Sequence, residues 1–187
     1  TDQMGDLARI QQEVLGPNRI IPITYMNSTA AIKSLCGQNN GIVCTSTNAK
    51  SVFQWAFERG EKVIFFPDQH LGRNTALKLG IPLDKTLVWN PFKPMGGHSS
   101  ESIENATVIL WQGHCSVHTR FNTRQIERAR GEHPDINILV HPECTMDVVN
   151  SADLDGSTEF IIDTINKAPA GSKWAVGTEI SLVNRLA

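Results

Sequence analysis

The 187-residue chain has a single tyrosine, Tyr25, so its one phenol stands alone. It has four cysteines, Cys36, Cys44, Cys115 and Cys144, widely spaced and without a CxxC pair. That spacing offers no disulfide framework and reads as buried thiols, any ligand or nucleophile needing further context. No apolar run approaches the roughly 20 residues that span a bilayer, and no secretory signal pattern opens the chain. The expectation is a cytoplasmic protein with no membrane partner. There is no dense Lys/Arg block, and the formal net charge is −2, so nucleic acid is not an expected partner. No low-complexity tract interrupts the chain. Thr1-Asp2-Gln3 is an unusual native start and reads as that of a fragment or a processed chain.

What is present is a repeated device. Arg19 to Asn27 and Asn137 to Cys144 each open with a short β-rich apolar run, as a buried parallel strand does, and each ends on polar residues. Each is followed by a hydroxyl cluster, Thr45-Ser46-Thr47 or Gly156-Ser157-Thr158, then by a helix-like segment and a second apolar run, 62–66 or 173–176. Ser46 and Asp68 are 22 positions apart, as are Ser157 and Glu179. A duplicated strand–helix–strand unit sets polar groups at the carboxyl ends of parallel strands, where open α/β sheets bind ligands.

Further spacing predicts a helix over 6–15 broken by Gly16-Pro17-Asn18, a helix capped by Ser28 or Thr29, a strand at 42–44, and a helix to Phe57. A helix over 71–79 should stop at Gly80. Residues 90–105 read as a solvated loop. A strand at 108–111 and a helix near 122–131 complete the alternation. The fold class expected is α/β: two similar Rossmann-like units with mainly parallel sheets, divided as 1–118 and 119–187, with Tyr25 and His141 at equivalent points.

The densest chemistry is Gln112 to His118, with His114, Cys115 and His118 within five residues after a strand. A thiolate there suits a metal ligand or a nucleophile. His141-Pro142-Glu143 puts an imidazole and a carboxylate at a strand end, a pairing suited to acid–base work or to a surface ion pair. Tyr25 and Asn27 hold the matching point of the first copy. The two hydroxyl clusters suit helix caps, anion donors or both. Asp68 reads as a cap, and Trp55, Trp89 and Trp174 as packing residues.

Taken in order, these clusters resemble the quinolinate synthase family, iron–sulfur enzymes of de novo NAD biosynthesis. The resemblance rests on Tyr25 to Ala30, Thr45 to Lys50, Phe66 to Asn74, Trp111 to His118, His141 to Cys144, Gly156 to Thr158 and Gly171 to Glu179, and runs from Asp2 to Leu186. It implies three similar α/β domains about a pseudo-threefold axis, so 1–118 would be the middle domain with a preceding helix and 119–187 a truncated next domain. It implies a transferase that condenses iminoaspartate with dihydroxyacetone phosphate to quinolinate, with L-aspartate oxidase as a supplier of iminoaspartate. A [4Fe–4S] cluster held by three cysteines, one per domain, would act as Lewis acid through its open iron.

The family's residues carry over as follows. Tyr25, His141 and Glu143 are expected to be catalytic. Tyr25, Met26, Asn27, Ser46, His118, His141, Pro142, Glu143, Ser157 and Thr158 are expected to bind substrate in one pocket. Cys115 matches the middle cluster ligand. The first and third cluster cysteines have no counterpart here, nor do the first domain's substrate-binding histidine and tyrosine; Cys44 and Cys144 do not fall on ligand positions. The chain is therefore expected to be a central fragment, inactive alone. Two other readings stand beside this one: a non-catalytic α/β module binding a small dicarboxylate, and a redox or metal-binding protein using Cys115 with His114 or His118.

Overall fold

A computed structural model describes residues 19–187. The helix expected over 6–15 lies outside the described residues. The chain divides into two compact units between Gly113 and His114, where the sequence placed the division after 118.

The first unit is a five-stranded, wholly parallel sheet in the order β2-β1-β3-β5-β4. Its strands are β1 (Ile20–Tyr25), β2 (Ile42–Cys44), β3 (Lys62–Phe66), β4 (Thr86–Trp89) and β5 (Val108–Trp111). The central strands β1, β3 and β5 are buried along their whole length, which is why they read as continuous apolar runs rather than alternating ones. Alternate side chains feed two cores. Ile20, Ile64, Phe66, Ile109 and Trp111 meet α1 (Ala30–Gln38) and α4 (Ser100–Asn105). Ile21, Ile23, Val63, Phe65 and Leu110 meet α2 (Ala49–Phe57) and α3 (Gln69–Lys78).

The second unit is a three-stranded parallel sheet, β7-β6-β8, with β6 (Asn137–Val140), β7 (Leu154–Asp155) and β8 (Trp174–Gly177). Its helices are α5 (Thr123–Glu132), α6 (Met146–Ser151), α7 (Thr158–Asn166) and α8 (Ile180–Leu186). Ile138 and Val140 form a core with Ile126 of α5, Cys144, and Val148 of α6. An apolar cavity of about 260 Å³ opens beside the same residues, between α5 and the strands, and contains no acid, thiol or imidazole.

The repeat is visible in the topology. β1 pairs with the next two strands on either side, and β6 does the same. Thr24 pairs with Phe66, two residues before Asp68; Val140 pairs with Gly177, two residues before Glu179. Tyr25 and His141 therefore hold the same ladder position. On the other side Cys44 pairs with Tyr25, while Asp155 pairs with Val140. By that register Thr158, not Ser157, matches Ser46.

Two expectations for the first unit change. Residues 90–105 are not all loop: α4 occupies the second half, capped by the Ser99 hydroxyl accepting from Ser102 N, with Ile103 fully buried. A six-residue helix with one inward side chain shows no period to read. Strand β4 was also not anticipated; as an edge strand it buries only Leu87 and Trp89.

Candidate functional site

In the first unit the polar strand ends fall where expected. Tyr25 closes β1 and is itself a core residue, 6% exposed. Met26 and Asn27 follow it and are exposed, with Met26 N donating to Cys44 O at 2.8 Å. Ser46 is half-buried in the turn after β2. The hydroxyls of that turn do not cap α2. Asn48 takes the capping position, and its Oδ1 accepts from Thr45 N at 2.7 Å and from Thr45 Oγ1 at 3.2 Å. Thr29 does cap α1, and Asp68 caps α3 by accepting from His70 N and Leu71 N, both at 2.8 Å. Of the tryptophans, Trp89 is core, Trp55 lies under the Arg59 guanidinium at 4.4 Å, and Trp174 donates from Nε1 to Ser172 Oγ at 3.0 Å.

The second unit gathers the chemistry. After β6 the chain turns tightly, with Cys144 N donating to His141 O at 2.9 Å, and His141 N is held by Gly177 O of β8 at 3.0 Å. This turn carries His141, Pro142 and Glu143, all buried. His118 opens a short 3-10 turn, His118–Arg120, and is also buried. The two imidazoles stack, with ring centroids 4.6 Å apart and planes inclined by 17°. Glu143 Oε2 faces both rings, 3.4 Å from His118 Nδ1 and 3.3 Å from His141 Nδ1. His141 Nδ1 also accepts from Glu143 N at 3.3 Å, which places the proton of the neutral ring on Nε2.

Burial sets the charge of this group. It pushes the His141 pKa down, helped by neighbouring His118, to about 3. Burial likewise holds His118 below the usual histidine range. Both rings are therefore neutral near pH 7, and their approaches to Glu143 are contacts of neutral imidazoles rather than charged bridges. A carboxyl group between two such rings is placed to exchange a proton with either.

Cys115 is half-buried, and its sulfur lies within 4.8 Å of ligand atoms of His118 and Glu143. His114, the other imidazole that the metal reading offered beside Cys115, is exposed and outside this group. Cys144 is buried, with Sγ donating to Gly177 O at 3.7 Å. Ser157 caps α7, its Oγ accepting from Phe160 N at 3.2 Å, which leaves the hydroxyl proton to donate; Thr158 beside it is exposed. One member was not singled out from sequence: Thr178, buried just beyond β8, with Oγ1 3.5 Å from His118 Nε2. Its place between the end of β8 and the Glu179 cap, one position from each, was the available signal.

A [4Fe–4S] cluster needs several thiolates. Cys115 fits as one of them, being accessible and beside a carboxylate and an imidazole. The other described cysteines do not: Cys36 and Cys44 are core residues whose thiols burial pushes up to about 12, and Cys144 is committed to the β8 carbonyl.

The fold and these strand-end residues define an α/β protein built from repeated parallel units, with a buried acid–imidazole group and an accessible thiol. The chain matches, over residues 3–187, the family model described as NadA, quinolinate synthetase A protein. It belongs to that family. It is similar to the quinolinate synthase of Corynebacterium glutamicum, 55% identical over 186 residues that cover 100% of this chain and 47% of the relative. The quinolinate synthase of Rhodopirellula baltica is 53% identical, covering 98% of this chain and 49% of the relative. That of Herpetosiphon aurantiacus is 55% identical, with 98% and 52% covered. The chain thus spans about half the length of the curated relatives it matches. Among the described residues, no helix is long and apolar enough to cross a membrane.

Proposed function

We propose that the complete protein carrying this chain is a cytoplasmic quinolinate synthase, a transferase of NAD biosynthesis that condenses iminoaspartate with dihydroxyacetone phosphate to quinolinate, phosphate and water. The observation that carries this reading is Glu143 set between the stacked, neutral His118 and His141 beside Cys115. Ring closure and dehydration need protons taken from carbon and delivered to departing oxygens. Glu143 and His141 serve as that relay, with Tyr25 as a further donor. Asn27, Ser46, Ser157 and Thr158 supply donors to the carboxylates and the phosphate, and Met26, Pro142 and His118 complete the binding surfaces. L-aspartate oxidase is the fitting supplier of iminoaspartate.

Cys115 serves as one ligand of a [4Fe–4S] cluster, whose other two thiolates come from outside these 187 residues; when bound, the cluster supplies Lewis acidity through an open iron. The isolated chain, with one such thiolate, is inactive. The two units correspond to the middle and next domains of a pseudo-threefold, three-domain protein.

Glu143→Gln in the complete protein tests the reading. The change keeps size and removes the titrating proton, so turnover should fall on the order of 10²-fold while quinolinate still binds. Near-normal turnover would reduce Glu143 to a structural residue.

A further inference from the structure

Thr178 directly follows β8 and precedes the Glu179 cap of α8. Its side chain is buried, and its hydroxyl meets one partner among the described residues, His118 Nε2 at 3.5 Å. Hydrogen bonds of catalytic groups are commonly this long before substrate closes a site. On the other side of the same ring, His118 Nδ1 is buried and makes no hydrogen bond, with Glu143 Oε2 3.4 Å away.

A neutral imidazole carries one proton, on one of its two nitrogens. Burial keeps His118 neutral, so two tautomers compete. With the proton on Nε2, that nitrogen donates to Thr178 Oγ1. The threonine's own proton is then left without an acceptor, and Nδ1 turns a bare lone pair toward Glu143 Oε2. His141 Nδ1, which accepts from the Glu143 amide, already turns a lone pair to that oxygen from 3.3 Å. A carboxyl proton could serve only one of the two. With the proton on Nδ1, Thr178 donates to Nε2, and an N–H faces the carboxyl oxygen. This arrangement gives a partner to both the hydroxyl proton and Nδ1. Stranded buried polar atoms are the costlier state, so the second tautomer is favoured.

We propose that Thr178 is a positioning residue of this site: its hydroxyl donates to His118 Nε2, fixes the ring as its Nδ1–H tautomer and so holds an N–H donor against Glu143. The bond made by one ring nitrogen decides the state of the other, and a group behind an imidazole acts through that choice. Glu143 then has a donor on its His118 side and an acceptor on its His141 side, so the two stacked rings are not interchangeable. The kinetic consequence rests on the acid–base role proposed for Glu143; the tautomer does not.

The complete protein, with its histidine ring nitrogens labelled with ¹⁵N, tests this by nuclear magnetic resonance near neutral pH, because protonated and bare ring nitrogens resonate far apart. His118→Gln identifies the signals by their loss. The parent should show His118 protonated at Nδ1. Thr178→Val, which keeps the shape and removes the hydroxyl, should move the proton to Nε2 or mix the two forms. It should lower kcat by on the order of 10-fold or more with KM little changed. Far-ultraviolet circular dichroism should be unchanged. Thr178→Ser, which restores the donor, should recover the tautomer and most of the turnover. A parent ring protonated at Nε2, a tautomer unmoved in Thr178→Val, or a folded Thr178→Ser as slow as Thr178→Val overturns the positioning role. Were Thr178→Val not to fold, the parent tautomer and the Thr178→Ser turnover would decide. Normal turnover in Glu143→Gln would defeat the reaction reading and leave the tautomer measurable, so the two failures are distinct.

Discussion

At the scale of single residues, burial separates side chains of the same type. Cys36, Cys44 and Cys144 are buried and Cys115 is half-buried. The core thiols Cys36 and Cys44 are pushed up to about 12 by desolvation, so they carry almost no thiolate at neutral pH. A disulfide reagent applied to the native, metal-free chain at neutral pH should modify Cys115 first and as a single fast phase. Mapping the label by mass spectrometry checks this; rapid labelling of Cys36 or Cys44 would contradict the packing. His141 gives a prediction in pH. In the unfolded chain it takes up a proton near its ordinary 6.5, and in the folded chain only near 3. The neutral ring's contribution to stability is therefore fully present above about pH 6.5 and is lost as pH falls through that window, by an amount on the order of a few kcal/mol. Denaturant midpoints at pH 7 and pH 5 should show a decline that is smaller in His141→Gln. An identical decline in both would assign the pH dependence elsewhere.

At the scale of elements, the repeat ends each of its third strands in the same way. A carboxylate follows the strand and caps the next helix: Asp68 for α3, and Glu179 for α8, which accepts from Ser181 N at 2.9 Å and Leu182 N at 3.3 Å. These hydrogen bonds hold the Glu179 carboxyl below the usual range. The caps differ in surroundings. Asp68 is 3% exposed, whereas Glu179 is exposed. Asp68→Ala would strand two helix donors in a dry site and should cost about 1–2 kcal/mol, as strong caps do. Glu179→Ala, with water at hand, should cost less. Thermal or denaturant unfolding of the two variants measures the order, and a larger loss at Glu179 would contradict it. The sequence spacing that paired Asp68 with Glu179 was correct, while the hydroxyl clusters 22 positions upstream diverged: Ser157 caps α7, and Asn48 displaced its counterparts at α2. Side-chain reach decided that difference. Asn48 folds back onto Thr45 and consumes the oxygen that a cap would use.

At the scale of the whole molecule, the two units carry unequal cores. The first has apolar layers on both faces of its sheet, and β1, β3 and β5 are buried end to end. The second has a smaller cluster around Ile138 and Val140, and its outer strands β7 and β8 are largely half-buried or exposed. Local opening costs least where little apolar surface is buried. Native-state hydrogen exchange should therefore be slowest in β3 and β5 and faster in β7 and β8. Slower exchange in β8 than in β3 would reverse this order.

The amino-acid sequence by itself determined the class of fold, the duplicated parallel units and the strand ends that carry polar groups. Those properties follow from local apolar runs, caps and breakers, which neighbouring residues express without help. The edge strand β4 and the helix α4 escaped because short elements with one or two buried side chains leave no period to detect. Within Gln112 to His118 the residue pattern alone did not separate His114 from His118, two imidazoles four residues apart, and only the family resemblance favoured His118. Only the tertiary structure exposed the first and buried the second against His141, Glu143 and Thr178. Those partners lie 23, 25 and 60 positions further along the chain. Their meeting depends on β6 and β8 being adjacent parallel strands, a long-range pairing that no local pattern encodes, and the low solvation it creates is what keeps both rings neutral.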